Sequence, residues 1–362
     1  MSLTKEFFNR STNITAKVIC DSINEQGIRI TTLEVEAPRI VLAEINTHNA
    51  ISKNCSSTRA ITLKKAIQQV RDNGFEPLYL GKKQSGMSAE IEIDNESKLH
   101  ALYLWNEAKD EMIHIVERLD DECELHKQIS GRLLEPFQMV KQVLTATDWE
   151  NFFNLRLHRD SQPEICMLAY KIYKAIEASV PNTLRCGEFH LPYLEISQDQ
   201  YNPKNTYYYI WNVDTTGTET DGYKFENTLT LDQAIKYSIA RCASVSYRTE
   251  DMTLEKSQDI YKRLLEADVL HSSPAEHVAT PVKKEVYFTE DTGCGYDIDE
   301  RRSLNVKEAP STWEEGITHV NRQGELCSAN FRGWIQYRHT LKNNTCYDFN
   351  FEERMKLFDN QI

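Results

Sequence analysis

The chain has 362 residues, and its apolar content of 40% supports a folded core and argues against disorder. The net charge of -13 disfavours a general nucleic-acid binder, because such a protein needs a basic surface. No apolar run approaches about 18 residues, and the N-terminal residues lack the apolar core of a signal peptide, so we expect no membrane span. The nine cysteines show neither a C-x-x-C pair nor zinc spacing, which indicates reduced thiols, a cytoplasmic location and no metal site.

Residues 15–46 predict two or three strands. Residues 16–20 and 28–35 alternate polar and apolar side chains and are rich in β-branched residues. The apolar run at 40–42 is short enough for a third, buried strand.

A polar segment at 43–60 follows that run and is rich in Asn, Ser and Thr. A polar cluster at the end of a buried strand is a usual place for a ligand site in an α/β fold. The hydroxyls of Ser56 and Ser57 and the guanidinium of Arg59 together suit a phosphate group. The alternative is a hydroxyl-rich loop that caps a helix beginning near Leu63.

The spacing of apolar residues and the capping residues predict that the middle of the chain is mainly helical. We expect a helix at 62–73, a strand-like segment at 89–93 and a long helix at 96–123 whose charges form a solvated face. Two more helices follow, at 149–156 and at about 161–176. Arg156, His158 and Arg159 lie just before the second of them, where the N–H groups and the helix dipole favour an anion. The alternative is ordinary surface charge.

The last part of the chain is more irregular. Residues 192–222 are rich in Tyr, Asn, Thr and Gly, and they predict a linker or an inserted hairpin with a strand at 207–211. Helices are predicted at 231–240 and 253–267. The turn at 271–277 holds two His and one Glu, which is a weak indication of a metal.

The catalytic motifs that are missing narrow the function. The sequence has no G-x-S-x-G, no P-loop and no G-x-G-x-x-G. Several turns rich in Ser, Asn, Arg and His remain, which fits a phosphorylated ligand and a large cofactor that brings its own chemistry. The residues alone therefore indicate an α/β protein with an anion site and a nucleotide site.

These turns resemble the motifs of the flavin-dependent thymidylate synthase family. The family loop R-H-R-x-x-S-x-N-E-x-S-x-R corresponds to T-H-N-A-I-S-K-N-C-S-S-T-R at 47–59, where His, Ser, Asn, Ser and Arg are in register. A second family segment, N-F-x-x-L-R-x-x-x-x-A-Q-x-E-I-R, corresponds to N-F-F-N-L-R-L-H-R-D-S-Q-P-E-I-C at 151–166.

Two further family motifs, A-R-V-S-Y and S-P-F-E-H, precede the loop in the family but follow it here, as A-S-V-S-Y at 243–247 and S-P-A-E-H at 273–277. This order resembles the permuted branch found mainly in phage genomes, which also has a W-H-L-P element, here F-H-L-P at 189–192. The resemblance divides the chain into three regions. Residues 1–195 carry the nucleotide and flavin loop, with an insertion at about 76–130. Residues 196–230 form a linker or hairpin, and residues 231–362 carry the permuted motifs.

The resemblance implies a mixed α/β fold with a sheet flanked by helices, and an enzyme that transfers a one-carbon unit from methylenetetrahydrofolate to C5 of dUMP. Reduced FAD, recharged by NADPH, supplies the hydride in that family. No protein nucleophile attacks the base, so catalysis depends on orienting and polarising the pyrimidine. The resemblance also implies a homo-oligomer, a tetramer or a dimer, in the host cytoplasm if the gene is phage-encoded.

The resemblance assigns roles residue by residue. The catalytic positions are Ser57, Arg59 and His277. The substrate positions are Glu44, Cys55, Ser56, Ser57, Arg59, Gln162 and Cys166. The cofactor positions are His48, Asn49, Ser52, Asn54, Asn154, Arg156, His158, His277 and Arg338.

The departures from the family pattern change the expected ligands. Thr47 and Asn49 replace the two Arg of R-H-R, so the flavin phosphates lose two charge-assisted contacts, which Arg338 could supply from elsewhere in the fold. Cys55 replaces a Glu and Cys166 replaces an Arg. An unpaired buried polar group costs about 1–3 kcal/mol, so the ligand set is not expected to stay unchanged. Methylation of dUMP is the first interpretation. The alternatives are methylation or hydroxymethylation of dCMP, and a non-catalytic nucleotide-binding relative.

Overall fold

The structure is a computed structural model that describes residues 5–86, 88–198, 206–210, 228–245, 252–283, 313–347 and 349–359. Its α-helices are α1 (Leu42–Asn46), α2 (Leu63–Asn73), α3 (Asn95–Asp121), α4 (Lys127–Ser130), α5 (Glu150–Arg156), α6 (Pro163–Ala178), α7 (Leu231–Ala243), α8 (Leu254–Leu265) and α9 (Phe351–Asp359). Its strands are β1 (Thr15–Asn24), β2 (Arg29–Pro38), β3 (Ser52–Cys55), β4 (Met139–Ala146), β5 (Asn182–Leu184), β6 (Leu194–Gln198), β7 (Thr206–Ile210), β8 (Thr228–Leu229), β9 (Ala279–Pro281), β10 (His319–Val320), β11 (Leu326–Ser328), β12 (Phe331–Arg332) and β13 (Trp334–Gln336).

A five-stranded sheet organises these elements, with the strand order β3-β4-β2-β1-β5. The neighbouring strands are antiparallel except for β5, which runs parallel to β1. Helix α6 packs on β1 and β2. The expected class, α/β with a mixed sheet and flanking helices, is confirmed. Three smaller sheets accompany it: β10-β11-β12, β13-β9 and β6-β7-β8.

One face of the five-stranded sheet is apolar. Leu33 and Val35 of β2 and Leu144 of β4 point to the same side, because side chains two residues apart share a face of a strand. They pack against α6, whose buried residues at 165, 168, 169 and 172 repeat with helical spacing. This is the main hydrophobic core, and it fixes the position of α6.

The opposite face carries a row of buried polar side chains beside the apolar residues Ile30 and Val143. The register places Ser52 opposite Thr145, Thr145 opposite Thr32, and Thr32 opposite Cys20, so one row of polar side chains crosses four strands. Thr32 and Thr145 have no exposed surface. Buried polar groups must be hydrogen-bonded, so this face needs polar partners above it.

The C-terminal part of the chain supplies that cover. The 3-10 helix Ser273–His277 contacts β3 and β4. At the end of α7, Cys242 packs against Val143 of β4. The His190 backbone N–H donates to the Ala279 carbonyl at 2.8 Å, which ties the segment after β5 to β9.

Gly333 joins the C-terminal strands to the turn between β1 and β2. Asn24 donates from Nδ2 to its carbonyl at 2.9 Å. Its φ is +70°, and a Cβ at this position would collide with Ile28. Glycine is therefore required for this close approach.

Two expected strands are wrong. The run at 40–42 is not a third strand, because the 3-10 helix Arg39–Val41 leads directly into α1. Val41 and Ile45, four residues apart, are fully buried, whereas Ile40 is 39% exposed, so the apolar pattern here is helical. The segment 89–93 forms only an isolated bridge between Gly81 and Glu92, and Ile91 is 65% exposed.

The predicted helices agree more closely with the structure. Helix α2 begins at the cap Thr62, whose Oγ1 accepts from the Lys65 N–H, and ends before Gly74. Helix α3 matches the long charged helix, and of its residues only Ile113 and Val116 are buried. None of the helices in the described ranges has the length and apolar composition that crossing a membrane requires.

Replacing Leu168 by Ala tests the apolar core. Leu168 is fully buried on α6, so its loss leaves a cavity, and we expect the free energy of unfolding to fall by about 2–5 kcal/mol. The matched control is Leu155→Ala on α5, where the side chain is 48% exposed and the expected change is within about 0.5 kcal/mol. Urea unfolding followed by circular dichroism measures both. Equal losses in the two variants would contradict the assigned core.

Candidate functional site

Strand β3 places two of the expected cofactor residues against the C-terminal cover. Ser52 is 3% exposed and accepts from Asn330 Nδ2 at 3.2 Å and from Gln336 Nε2 at 3.4 Å. Asn54 donates from Nδ2 to the Cys242 carbonyl at 3.1 Å. Both side chains are bonded within the protein and connect β3 to β13 and α7.

Arg156, at the end of α5, forms a second polar cluster with α1 and the turn that follows it. Its Nε donates to His48 Nε2 at 2.8 Å, its Nη1 lies 3.1 Å from Glu44 Oε2, and its Nη2 donates to Thr47 Oγ1 at 3.2 Å. Burial and the charges of Arg156 and Lys53 lower the pKa of His48, so the imidazole is neutral and accepts at Nε2. Protein groups therefore engage the guanidinium on all three nitrogens.

The turn Ser273–His277 contributes a third group. Arg338 forms an ion pair through Nη1 with Glu276, and its Nε is buried without a partner among the described residues. His277 is fully buried, and its Nδ1 lies 2.8 Å from Thr145 Oγ1. Its Nε2 has no hydrogen-bond partner in the part of the chain that the structure describes.

His190, from the F-H-L-P element, extends this third group across the polar face. Its Nε2 lies 2.7 Å from Thr32 Oγ1, which is itself 2.7 Å from Thr145 Oγ1. Its Nδ1 lies 2.9 Å from Ser22 Oγ. Burial lowers the pKa of His190 and that of His277 to about 3, so both imidazoles are neutral.

Ser57 and Arg59 lie at a different place, beyond the end of β3. Ser57 caps the 3-10 helix Thr58–Ala60, and its Oγ accepts from the Arg59 N–H at 3.3 Å. The two residues line a cleft of about 360 Å³ together with His126, Lys127 and Gln128. The side chain of Arg59 is exposed, and among the described residues no carboxylate forms an ion pair with it.

The remaining expected site residues do not join these groups. Cys55, Asn49, Asn154 and His158 are exposed, and Ser56 is half-buried. Gln162 donates from Nε2 to Glu164 Oε2 at 3.1 Å, at the start of α6.

Cys166 lies on the α6 side of the sheet, away from the polar face. It is 1% exposed, and burial raises the pKa of its thiol to about 11. It is therefore an uncharged thiol, and it offers none of the charge that an Arg would bring to a base or a phosphate.

The expected residues thus fall into three groups. Ser52, Asn54 and His277 meet on the polar face, with Arg338 beside them. His48, Arg156 and Glu44 form the ion-pair cluster. Ser57 and Arg59 line the open cleft.

Sequence reasoning missed the residues that complete these groups. Thr145 alternates with Leu144 and Ala146, and Thr32 follows a second threonine, and such polar positions in a strand are typical of a solvent-facing face. His126 and Lys127 lie within the 76–130 insertion, for which the family offers no counterpart. The adjacent basic pair was the only available signal.

The donor set does not fit the diphosphate of FAD as it is arranged in a single chain. Thr47 and Asn49 carry no charge, and the Arg156 guanidinium is already paired with Glu44. Arg338 is paired with Glu276. A flavin phosphate at either Arg would have to compete with a carboxylate that already holds it.

The described residues contain no group of three or more His, Cys, Asp or Glu side chains that could hold a metal ion. In the turn at 271–277, His271 is exposed and His277 is buried against Thr145. Because one of these histidines lies at the surface and the other in the interior, they do not form a shared set of metal ligands.

No family model matches, and no curated protein matches the sequence. The chain is similar in structure to the UMP/dUMP methylase PolB from Streptomyces cacaoi bound with 5-Br UMP, with 16% identity over 46% of this chain and 89% of that one and a TM-score of 0.38. For the same methylase bound with 5-Br dUMP, the identity is 15% over 46% of this chain and 90% of that one, and the TM-score is 0.39. The chain is also similar in structure to Thymidylate Synthase X from Helicobacter pylori with FAD and dUMP. The identity is 16% over 41% of this chain and 67% of that one, and the TM-score is 0.29. Likenesses at this level do not assign an activity to the chain.

The two buried histidines predict a pH dependence of stability. Their pKa values are about 3 in the folded protein, against about 6.5 in an unfolded chain, so the unfolded state binds more protons between these values. The free energy of unfolding should therefore fall as the pH decreases below about 6.5, by up to about 1.4 kcal/mol per pH unit for each histidine. Urea unfolding between about pH 7.5 and about pH 5 measures the slope.

His277→Gln should remove one histidine's share of that slope. The exposed His158→Gln should keep the wild-type slope, because His158 lies on the surface and is not one of the two buried imidazoles. If both variants retained the wild-type slope, His277 would not be held neutral by the fold.

Proposed function

We propose that this chain transfers a one-carbon unit to C5 of a pyrimidine deoxynucleotide, with conversion of dUMP to dTMP as the first candidate. The cleft that contains Ser57 and Arg59 carries this proposal. These are two of the residues that the family resemblance assigns to the nucleotide, and their side chains are open to a ligand.

The cleft has the chemistry of a phosphate site. Arg59 offers a planar fork of N–H donors that suits two phosphate oxygens, and Ser57 adds a hydroxyl. Lys127 donates to the Ile61 carbonyl at 2.8 Å, which leaves two of its ammonium hydrogens for an anion. The volume of about 360 Å³ is within the range of small-ligand sites.

The identity of the base is a separate part of the proposal. Cys166 is a buried, uncharged thiol on α6, so the Arg that the family directs at the substrate has no equivalent at this position. For this reason dCMP is retained as the alternative substrate, with methylation or hydroxymethylation as the reaction. The rival from another class is a nucleotide-binding protein that keeps the Ser57 and Arg59 site without catalysis.

The resemblance implies FAD as cofactor, with NADPH and methylenetetrahydrofolate as co-substrates. Because the single-chain donor set does not fit the flavin diphosphate, the proposal assigns no step to residues acting through a flavin. The part of the chemistry that belongs to this chain is to bind the nucleotide phosphate and to hold the pyrimidine. A homo-oligomer, in which a second copy completes the cofactor site, belongs to the same proposal.

Replacing Arg59 by Gln tests the nucleotide site. Loss of a charge-assisted bond to phosphate costs about 1.5–3 kcal/mol, so the dissociation constant for dUMP should rise by roughly 10- to 100-fold. Isothermal titration calorimetry with dUMP at low salt measures this. Arg71→Gln is the matched control, because Arg71 lies on α2 and pairs with Glu117 outside the cleft. Equal affinity of the two variants would overturn the phosphate assignment.

The absorbance spectrum of the purified protein with added FAD tests the flavin part. If a second copy of the chain completes the cofactor site, we expect a visible flavin band that dUMP perturbs and dCMP does not. The Thr47→Arg/Asn49→Arg double variant restores the two family charges at exposed positions, and it should bind FAD more tightly than the wild type.

The outcomes separate the candidates. A flavin band that only dCMP perturbs would show that dCMP is the substrate and dUMP is not. The absence of a band in both proteins would show that the chain has no flavin site, and the non-catalytic nucleotide-binding function would replace the enzyme.

A further inference from the structure

Five buried side chains form one continuous hydrogen-bonded chain across the polar face. Ser22 Oγ is 2.9 Å from His190 Nδ1, and His190 Nε2 is 2.7 Å from Thr32 Oγ1. Thr32 Oγ1 is 2.7 Å from Thr145 Oγ1, which is 2.8 Å from His277 Nδ1. Each of the five residues is at most 1% exposed. The chain spans β1, β2 and β4 and ends at the unpartnered His277 Nε2.

The protons of this chain all point the same way when both threonine hydroxyls use their proton, because Thr32 and Thr145 have no other acceptor in the described part of the chain. Each hydroxyl and each neutral imidazole carries one exchangeable proton, so five groups share five protons over four bonds. A hydroxyl that accepts from one neighbour has its single proton left for the other. The two imidazoles link their bonds in the same way, because a neutral ring has one N–H and one lone pair. The tautomers of His190 and His277 are therefore coupled.

The groups at the two ends of the hydrogen-bonded chain determine the direction in which its protons point. If the protons point towards His277, its buried Nε2 carries an N–H without an acceptor. If they point away, Nε2 carries only a lone pair, and an unpaired buried acceptor is more common than an unpaired buried N–H. At the other end, the His190 Nδ1–H has two acceptors, Ser22 Oγ and the Cys20 Sγ at 3.3 Å. Both ends favour protons that point away from His277.

We infer that Ser22, His190, Thr32 and Thr145 are positioning residues that hold His277 in the Nδ1–H tautomer. Its Nε2 then carries a lone pair and no hydrogen, so any hydrogen-bond partner it takes must be an N–H or O–H donor. This inference is independent of the proposed function, because the tautomer is a property of the free protein.

The experiment is long-range 1H–15N correlation spectroscopy of the protein labelled with 15N-histidine. The signals are assigned with His190→Gln and His277→Gln. In the wild type near pH 7 we expect both histidines to be neutral and both to carry their proton on Nδ1. Opposite tautomers in the two rings, or an Nε2–H form of His277, would overturn the inference.

Thr32→Val is the decisive variant, because Thr32 does not touch His277. Without Thr32, the Thr145 hydroxyl loses its acceptor and turns its proton to His277 Nδ1. His277 should then change to the Nε2–H tautomer, a shift that loss of packing alone does not produce. An unchanged Nδ1–H form of His277 in this variant would overturn the coupling.

Thr31→Val is the matched control on the same strand. Thr31 is also buried, but it faces the other side of the sheet and donates to Asp21 Oδ1 at 3.0 Å. Both tautomers should stay as in the wild type. If Thr32→Val does not fold, Thr145→Val supplies the test. It removes the Nδ1 partner directly, and we expect a mixture of His277 tautomers. A single, unchanged tautomer would overturn the inference.

Discussion

The 2.7 Å hydrogen bond between the hydroxyls of Thr32 and Thr145 lies at the centre of the structure. It joins two antiparallel strands on a face that is buried yet polar. Because neither hydroxyl reaches water, each requires a second partner, and the two imidazoles of His190 and His277 are those partners. The C-terminal part of the chain therefore has to fold back over the sheet, and the sites described above take their positions from this constraint.

The sheet consequently has two different faces, and the difference specifies its register. A shift of one residue in β2 or β4 would move the threonines into the apolar layer beneath α6 and bring leucines under the histidines. Unpaired buried hydroxyls and lost apolar contacts would both oppose such a shift. The polar row contributes to specificity of the fold as well as to the surroundings of His277.

Sequence patterns predicted the elements that depend on local periodicity and missed those that depend on distant partners. The strands β1 and β2 and the helices α2 and α3 follow from spacing and capping. The run at 40–42 was ambiguous because a short apolar run fits a strand or a helix. Thr32 and Thr145 could not be identified as buried, because only the pairing of residue 32 with 190 and of residue 145 with 277 removes them from water. Within the site, Ser57 and Arg59 were identifiable by residue type, whereas Glu44 as the ion-pair partner of Arg156 required the fold.

The cover of the polar face also has a consequence for the order of biosynthesis. Asn24 bonds to Gly333, and Ser52 bonds to Asn330, so residues 24 and 52 complete these contacts only after residues 330–333 have left the ribosome. Contacts this distant in sequence slow folding, because the loop between them must be ordered first. Until then the nascent sheet exposes hydroxyls, an amide and an imidazole on one side, which water can solvate. The side that must wait longest therefore carries polar groups that water can solvate next to Ile30 and Val143, which stay exposed until they are covered.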